Sequence, residues 1–206
     1  GQYLDKKVNN ADSIITGLQK GQGITTGTCA QAATKGACIM LANQKIVNEV
    51  EVKTPSGVKL NLGLVDQKIG ENFAECAVIK NSGEEPDVTN GARIFVKVRL
   101  SRKEGVNIKG AGGVGRITKP GLAVGIGEWA INPVPRKMIL KEASRFLPDD
   151  KGLEVTVSVP GGKKLAERTY NPKLGIAGGI SIIGTSGIVE PKSLNAYRAS
   201  LALELN

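Results

Sequence analysis

Two short glycine-containing stretches of the chain could bind an anion through backbone N–H groups and hydroxyls. TTGT at residues 25–28 leads into a run of small residues, and GTSG at 184–187 leads into a second predicted helix. A helix start leaves N–H groups unpaired and favours negative charge, although plain N-capping explains the same residues. The candidate binding residues here are Thr25, Thr26, Gly27, Thr28, Gly184, Thr185, Ser186 and Gly187.

A third polar stretch, PDVTNG at residues 86–91, precedes the most regular strand pattern of the chain. Asp87 follows a proline, so its carboxylate is held as a positioned base or hydrogen-bond acceptor would be. An Asx-type turn through Asp87 and Asn90 explains the same residues without any ligand. Asp87 is the candidate catalytic residue, and Thr89 and Asn90 are candidate binding residues.

The longest glycine-rich stretch, GAGGVGRITKPGL at 110–122, has the spacing of neither common phosphate-binding fingerprint. Its glycines could form a nest of N–H groups beside a hydroxyl and a cation. Two further cations open the next predicted helix, where they oppose the helix dipole and favour an anionic ligand. The candidate binding residues are Gly112, Gly113, Gly115, Thr118, Lys119, Asn132, Arg136 and Lys137.

The composition excludes several kinds of catalysis. The chain of 206 residues has no histidine, so a Ser-His-Asp triad and histidine metal ligation are excluded within it. Its three cysteines, Cys29, Cys38 and Cys76, lack metal-ligand spacing and are typical of reduced thiols in a cytoplasmic protein. No carboxylate cluster has metal-ligand spacing either, and no protein-bound metal is expected.

The net charge of +9 indicates a basic surface, an acidic small-molecule substrate or, third, nucleic acid. Aromatic residues make up only 3% of the chain, whereas nucleic-acid binders of the stacking type need aromatics among their cations. No apolar run is long enough to span a membrane. The sequence therefore predicts neither a nucleic-acid partner nor a membrane partner.

The elements that would position these stretches alternate between hairpins and helices. A helix is predicted within 24–43, capped by Thr26 or Thr28, and another at 135–147 with Pro135 in its first position. The predicted strands are 47–53 and 58–65 as a hairpin, 73–80, 92–101, 153–159 and 164–170 as a second hairpin, and 180–183. This pattern predicts an α+β fold with mixed or antiparallel sheets, hairpins and packed helices.

A last helix is predicted to begin near Pro191, and its apolar stripe of Leu194, Tyr197, Leu201 and Leu205 continues without a terminating glycine. We therefore expect a fragment whose C-terminal part is missing. In this interpretation residues 1–190 form an α+β domain. Residues 191–206 then begin the connection to the missing part.

Five segments in order resemble the successive signatures of one family. They are ITTGTCAQAA at 24–33, EEPDVTNGA at 84–92, GVGRITKPGL at 113–122, WAINPVPRKMI at 129–139 and GTSGIVEP at 184–191. Together they resemble the cobalt-precorrin-5B (C(1))-methyltransferases of anaerobic cobalamin biosynthesis. The resemblance covers roughly residues 22–205. It also implies that residues 1–190 are the domain for substrate binding and methyl transfer, and that the missing part is a C-terminal α/β domain.

The resemblance implies methyl transfer from S-adenosylmethionine to ring carbon 1 of a cobalt corrinoid, with cobalt entering only as part of the substrate. Such a transfer needs mainly alignment of the two reactants. The corrinoid is a polyanion, so Lys119, Arg136 and Lys137 would pair with its carboxylates. The N–H groups of 26–28 and 112–115 would do the same, and Thr185 and Ser186 could contact either ligand. Asp87 would orient the reacting ring or act there as acid or base. A homo-oligomer is compatible with all of this.

Two other functions remain open from the residues alone. A nucleotide-binding small-molecule kinase would use the glycine-rich stretch for phosphates, but the chain lacks the GK[ST] motif. A basic nucleic-acid-binding module would bind with a steep salt dependence, but the cations are scattered. Binding of Mg-ATP would support the kinase, and salt-dependent binding of RNA or DNA would support the nucleic-acid module.

Overall fold

The computed structural model describes residues 15–192, in which four helices and fourteen strands alternate. The helices are α1 Thr26–Asn43, α2 Pro133–Ser144, α3 Gly162–Ala166 and α4 Asn171–Leu174. The strands are β1 Ile15–Thr16, β2 Gly23–Ile24, β3 Glu49–Lys53, β4 Lys59–Gly63, β5 Val65–Ile69, β6 Phe73–Ile79, β7 Arg93–Ser101, β8 Val106–Gly110, β9 Gly113–Val114, β10 Arg116–Ile117, β11 Gly152–Ser158, β12 Ile176–Ala177, β13 Gly179–Ile180 and β14 Ile188–Val189.

The long helix α1 is the centre of the core. It packs against β6, β7 and α2, and alanines along its length allow this close approach. The predicted helix is confirmed, but the predicted caps are wrong. The N-cap is Thr25, whose extended backbone lets its hydroxyl accept a hydrogen bond from the N–H of Thr28. Thr26 and Thr28 already lie inside the first turn.

The main sheet has five strands in the order β5-β6-β7-β11-β8. All pairs are antiparallel except β11 with β8, which is parallel. In β7 the alternation predicted from sequence is confirmed: Ile94, Val96 and Val98 are buried, while Arg93 and Arg99 are exposed. A smaller sheet, β1-β4-β3, contains the predicted first hairpin. The α+β class with mixed and antiparallel sheets is therefore confirmed.

The second predicted hairpin is wrong. Its first half is β11, but its second half is α3 and the turns that follow. β11 already has β7 on one side and β8 on the other, so it has no free edge to pair with residues 164–170. Gly161 has a positive φ of 74°, which turns the chain out of the sheet into α3.

Helix α2 begins two residues earlier than predicted. Pro133 and Pro135 both fall in its first turn, where a proline is tolerated because the N–H groups there have no intrahelical acceptor. The strand predicted at 180–183 is shorter, since β13 ends at Ile180 and Ile182 forms only an isolated bridge to Ile131. The helix predicted near Pro191, with its stripe from Leu194 to Leu205, lies outside the described residues.

Candidate functional site

A cavity of about 390 Å³ lies where α1 begins, beside the turn after β6, helix α4 and the segment after β13. Of the residues predicted from sequence, five line it: Thr25, Thr26, Asp87, Thr89 and Gly184. Three separate predicted stretches therefore meet at one place. The other lining residues are Lys80, Thr169, Tyr170, Asn171, Leu174, Ile180, Ser181, Ile183 and Val189.

One wall of the cavity is built where the start of α1 holds the chain after β13. The hydroxyl of Thr26 accepts a hydrogen bond from the N–H of Ile183 at 2.9 Å and donates to the carbonyl of Ser181 at 3.1 Å. The N–H of Gly27 donates to the carbonyl of Ile183 at 2.9 Å. The N–H groups of Gly27 and Thr28 are thus bonded within the protein, to the carbonyl of Ile183 and the hydroxyl of Thr25, and the helix start serves first to position this segment.

Glycine is required at the corner of this wall. Gly184 has a φ of 135°, and a Cβ there would lie 2.3 Å from the hydroxyl oxygen of Thr25. Gly187 has a φ of 82°, and its carbonyl accepts from the hydroxyl of buried Thr28 at 2.8 Å. Ser186 bonds to the backbone of Ile188, while Thr185 is exposed. Gly27, Thr28, Thr185, Ser186 and Gly187 do not line the cavity.

The charged part of the cavity is an ion pair between Lys80 and Asp87. The Lys80 Nζ lies 2.8 Å from Asp87 Oδ2 and 2.7 Å from the hydroxyl of Ser82. The Lys80 side chain is only 3% exposed, whereas that of Asp87 is 32% exposed. The other carboxylate oxygen, Oδ1, accepts from both the N–H and the hydroxyl of Thr89, each at 2.8 Å. Asp87 is thus held rigidly by three hydrogen bonds.

These contacts set the charge of Asp87. Partial burial raises the pKa of Asp87, but the hydrogen bond from Lys80, the two bonds from Thr89 and the charge of Lys80 outweigh it. The net result is a pKa below the ordinary value. Asp87 is therefore an ionised hydrogen-bond acceptor at neutral pH, which favours its orienting role over the role of a general acid. Asn90 supports the turn by accepting from the N–H of Ser82 at 2.9 Å and does not line the cavity.

Lys80 was not predicted as a site residue from the sequence, although a signal was present. Ala74, Cys76 and Val78 of β6 are buried, and Lys80 continues the same two-residue period. A lysine at the end of the inward face of a strand must find a partner, because an unpaired buried ammonium is costly. That expectation would have made Lys80 a candidate site residue, although only the folded turn shows that its partner is Asp87.

The outer wall of the cavity is apolar and was also missed. Tyr170, Leu174 and Ile183 are 75%, 50% and 47% exposed, although each lines the cavity. Beside them, the Asn171 amide donates to the carbonyl of Gly179 at 3.1 Å, and this bond orients its side chain. Tyr170 lies in the region wrongly predicted as a strand, and Asn171 and Leu174 come just after it, while Ile183 ends the strand predicted at 180–183. None of them belongs to a sequence motif.

The glycine-rich stretch that begins at Gly110 does not line the cavity; it approaches other parts of the backbone. A Cβ at Gly113, whose φ is 86°, would lie 1.7 Å from the carbonyl oxygen of Val159. Cβ atoms at Gly162 and Gly179 would lie 2.3 Å and 2.2 Å from the carbonyl oxygen of Gly113. The N–H of Gly115 donates to Ile180 at 2.9 Å, so the stretch supports the strand whose other side lines the cavity.

The remaining predicted residues lie around this support. The N–H and hydroxyl of Thr118 both donate to the carbonyl of Gly175, and Lys119 is exposed beside it. Asn132 donates its N–H to Ile182 at 2.9 Å, and its side chain makes no capping bond to α2. None of Gly112, Gly113, Gly115, Thr118, Lys119, Asn132, Arg136 and Lys137 lines the 390 Å³ cavity. Their contact with a ligand stays a prediction.

The cysteines offer no nucleophile at neutral pH. Burial raises the pKa of each of Cys29, Cys38 and Cys76 to about 12, so all three are thiols. Among residues 15–192, no group of three or more acidic or cysteine side chains is placed to hold a metal ion. Over the same residues, no helix combines the length and apolarity needed to cross a bilayer.

Comparison with known proteins decides the family. The model of the CbiD family matches residues 15–191, which is most of the chain and includes every residue that lines the cavity. The chain belongs to the CbiD family. The resemblance found in the sequence is therefore confirmed.

Relatives in the CbiD family have a named activity. A cobalt-precorrin-5B C(1)-methyltransferase of Thermoanaerobacter sp. (strain X514) is 50% identical over 94% of this chain and 53% of its own length. The protein of the same name from Clostridium perfringens (strain SM101 / Type A) is 46% identical over 89% of this chain and 50% of its own length. The chain thus spans about half the length of these curated relatives.

A solved structure supports the fold of this CbiD chain. The 1.9 Å crystal structure of a cobalamin biosynthesis protein (CbiD) from Archaeoglobus fulgidus is 33% identical, with a TM-score of 0.64. The match covers 99% of this chain and 67% of that one.

Proposed function

We propose that this chain is the first part of an enzyme that methylates ring carbon 1 of a cobalt-precorrin in cobalamin biosynthesis, with S-adenosylmethionine as donor. The observation that carries the proposal is the 50% identity, over 94% of the chain, to a relative named for that reaction. A second α/β domain would complete the protein at the length of its relatives. We place the enzyme in the cytoplasm, consistent with its three free thiols.

The cavity fits the methyl donor better than the macrocycle. Its volume of about 390 Å³ is at the lower end of the ~300–1,000 Å³ typical of small-molecule sites. Its polar groups suit an amino acid and a sugar, and its exposed Tyr170 ring suits the face of a nucleobase. A corrinoid is considerably larger and carries many carboxylates, so we place it outside this cavity. Its predicted partners, Lys119, Arg136 and Lys137, also lie outside it.

The residues of this chain contribute by positioning. When bound, S-adenosylmethionine supplies an electrophilic methyl group. Thr26 and Gly27 hold the wall at Ile183, and the Lys80–Asp87 pair gives the cavity a fixed polar end. Leu174 and Ile183 present apolar surface that excludes water from one side. Rigid placement of this kind is the main requirement of a transfer between two bound reactants.

The test is a single-turnover assay on the complete protein, with cobalt-precorrin-5B and S-adenosylmethionine labelled in its methyl group. We expect mass spectrometry to show one labelled methyl on the corrinoid. A protein that binds Mg-ATP but neither of these ligands would contradict the proposal. Asp87→Asn, which keeps the shape of the side chain and removes its charge, should slow the transfer, and an unchanged rate would remove Asp87 from the site.

A further inference from the structure

The ion pair in the cavity has unused hydrogen-bonding capacity of both kinds. A lysine ammonium has three N–H donors, and within the described chain Lys80 uses two of them, on Ser82 and Asp87. An ionised carboxylate can accept about four hydrogen bonds. Asp87 accepts three, so one position remains on Oδ2. One donor and one acceptor, joined by a 2.8 Å contact, are therefore left for a ligand.

The charge of the cavity decides what that ligand can be. Lys80 and Asp87 are the charged residues among those that line it, so the net charge of the described lining is zero. An isolated anion would gain from Lys80 what it loses beside Asp87, and an isolated cation would meet the reverse. A zwitterion whose ammonium and carboxylate groups are attached to one carbon can satisfy both groups at once. An α-amino acid has this arrangement.

The pair is built to stay in place. Lys80 extends from the inward face at the end of β6, its N–H donates to Ala92 at 2.9 Å, and its carbonyl accepts from Gly91 at 2.7 Å. Thr89 fixes the carboxylate of Asp87 from the other side. A ligand therefore meets a preformed binding site, and little of its binding free energy is lost in ordering that site.

We propose that the Lys80–Asp87 pair binds the amino-acid end of the methyl donor, with the α-carboxylate on Lys80 Nζ and the α-ammonium on Asp87 Oδ2. This inference rests on the proposed function, since it assumes that the donor is S-adenosylmethionine. It assigns both residues to donor binding and leaves the corrinoid to other parts of the protein. The adenosine then lies toward Tyr170, Leu174 and Ile183, the exposed apolar wall of the same cavity.

The test compares two thioethers of zero net charge, S-adenosylhomocysteine and methylthioadenosine. The first carries the zwitterionic amino-acid end, and the second lacks it. Affinities are measured by calorimetry on the complete protein. We expect the first to bind more tightly by about 10- to 100-fold, the usual worth of a hydrogen bond to a charged group. Lys80→Met should remove most of that difference and leave the affinity for methylthioadenosine unchanged. Asp87→Asn should have a similar, smaller effect because Asp87 is partly exposed.

A matched variant and a third ligand keep the test informative if a substituted protein does not fold. Ser82→Ala removes the neutral partner of Lys80 and should keep the preference for S-adenosylhomocysteine. Decarboxylated S-adenosylhomocysteine lacks only the carboxylate and should bind the wild-type protein about 10-fold more weakly or worse. This measurement uses only the wild-type protein, so it remains informative if Lys80→Met fails to fold.

The outcomes separate this inference from the proposed function. Equal wild-type affinities for the two thioethers, or an equal loss of both in a folded Lys80→Met protein, would show that the pair is only structural. The donor assignment would survive either result. Binding of neither thioether by the wild-type protein would overturn the donor assignment itself, and this inference with it.

Discussion

Two glycine-rich regions of this protein look alike in sequence and do opposite things in the structure. At 184–187 the chain bends around the start of α1, and Gly184 lines a cavity. At 110–115 the chain crosses two other segments, and its glycines meet the backbone at Val159, Gly162 and Gly179. The difference shows that a cluster of glycines indicates close approach of the backbone, but does not tell whether the approaching group is a ligand or the protein itself.

The strongest test of this contrast replaces Gly113 by alanine. The new Cβ would lie 1.7 Å from the carbonyl oxygen of Val159, and a φ of 86° is strained for alanine. Backbone strain and overpacking each cost about 1–3 kcal/mol, so we expect a loss of more than about 3 kcal/mol of unfolding free energy. Gly112→Ala is the matched control, because its Cβ would meet nothing within 4 Å. Similar melting temperatures for the two variants would contradict the crossing.

Gly184→Ala should have a smaller cost in stability and a larger one in binding. The new Cβ would press on the side chain of Thr25, and its φ of 135° adds strain. We expect a loss of about 2 kcal/mol in urea unfolding and weaker binding of S-adenosylhomocysteine, since Thr25 lines the cavity. Adding Thr25→Gly should restore part of the stability, because glycine removes the obstructing atoms and is tolerated as an N-cap. A double variant less stable than either single one would count against this explanation.

The two regions can also be compared by the same substitution, threonine to alanine, made once in each. The hydroxyl of Thr25 caps α1 in the cavity wall, and that of Thr118 donates to Gly175 beside the glycine crossing. Thr25→Ala and Thr118→Ala should each lower the unfolding free energy by about 1 kcal/mol. Calorimetry should show weaker binding of S-adenosylhomocysteine for Thr25→Ala alone. Weaker binding of S-adenosylhomocysteine by Thr118→Ala would show that the second region also contributes to the donor site.

The smallest expected effect is on the unfolding free energy at low pH. The pKa of Asp87 is lower in the folded protein than its ordinary value of about 3.9, so its contacts add stability that is fully present above about pH 4. That contribution disappears as the pH falls through the folded pKa and the carboxylate is protonated. Partial exposure keeps it near or below about 1 kcal/mol. Urea unfolding between pH 2 and 7 should show it as a steeper acid loss in the wild type than in Asp87→Asn, and parallel curves would contradict it.

The family and much of the fold could be predicted from local patterns. Alternation in 92–101, small residues in α1 and the hairpin predicted from 47–53 and 58–65 each depend on neighbours in sequence, and each is seen in the structure. Five motifs in order were enough for the family, although only three of the five contribute residues to the cavity. Asp87, Thr89, Thr25, Thr26 and Gly184 were found because polar groups and glycines stand out at element ends.

What failed depended on pairing partners distant in sequence. Residues 164–170 alternate like a strand, yet β8 had already taken the free edge of β11. Tyr170, Asn171 and Leu174 reach the cavity only because that segment folds as helical turns instead. Lys80 was detectable from its period in β6, but its partner across the turn was visible only once the turn was folded.

The sequence by itself determined most of the element types, the inward faces and the set of polar stretches, because these follow from periodicity of 2.0 or 3.6 residues and from backbone preferences. Tertiary structure alone decided which of these polar stretches share a cavity, because that depends on which strand edges and helix starts remain free for a distant segment. It placed the helix start at Thr25, the segment at Gly184 and the Lys80–Asp87 pair around one volume. It left the glycine-rich stretch at 110–115 to hold that wall from behind.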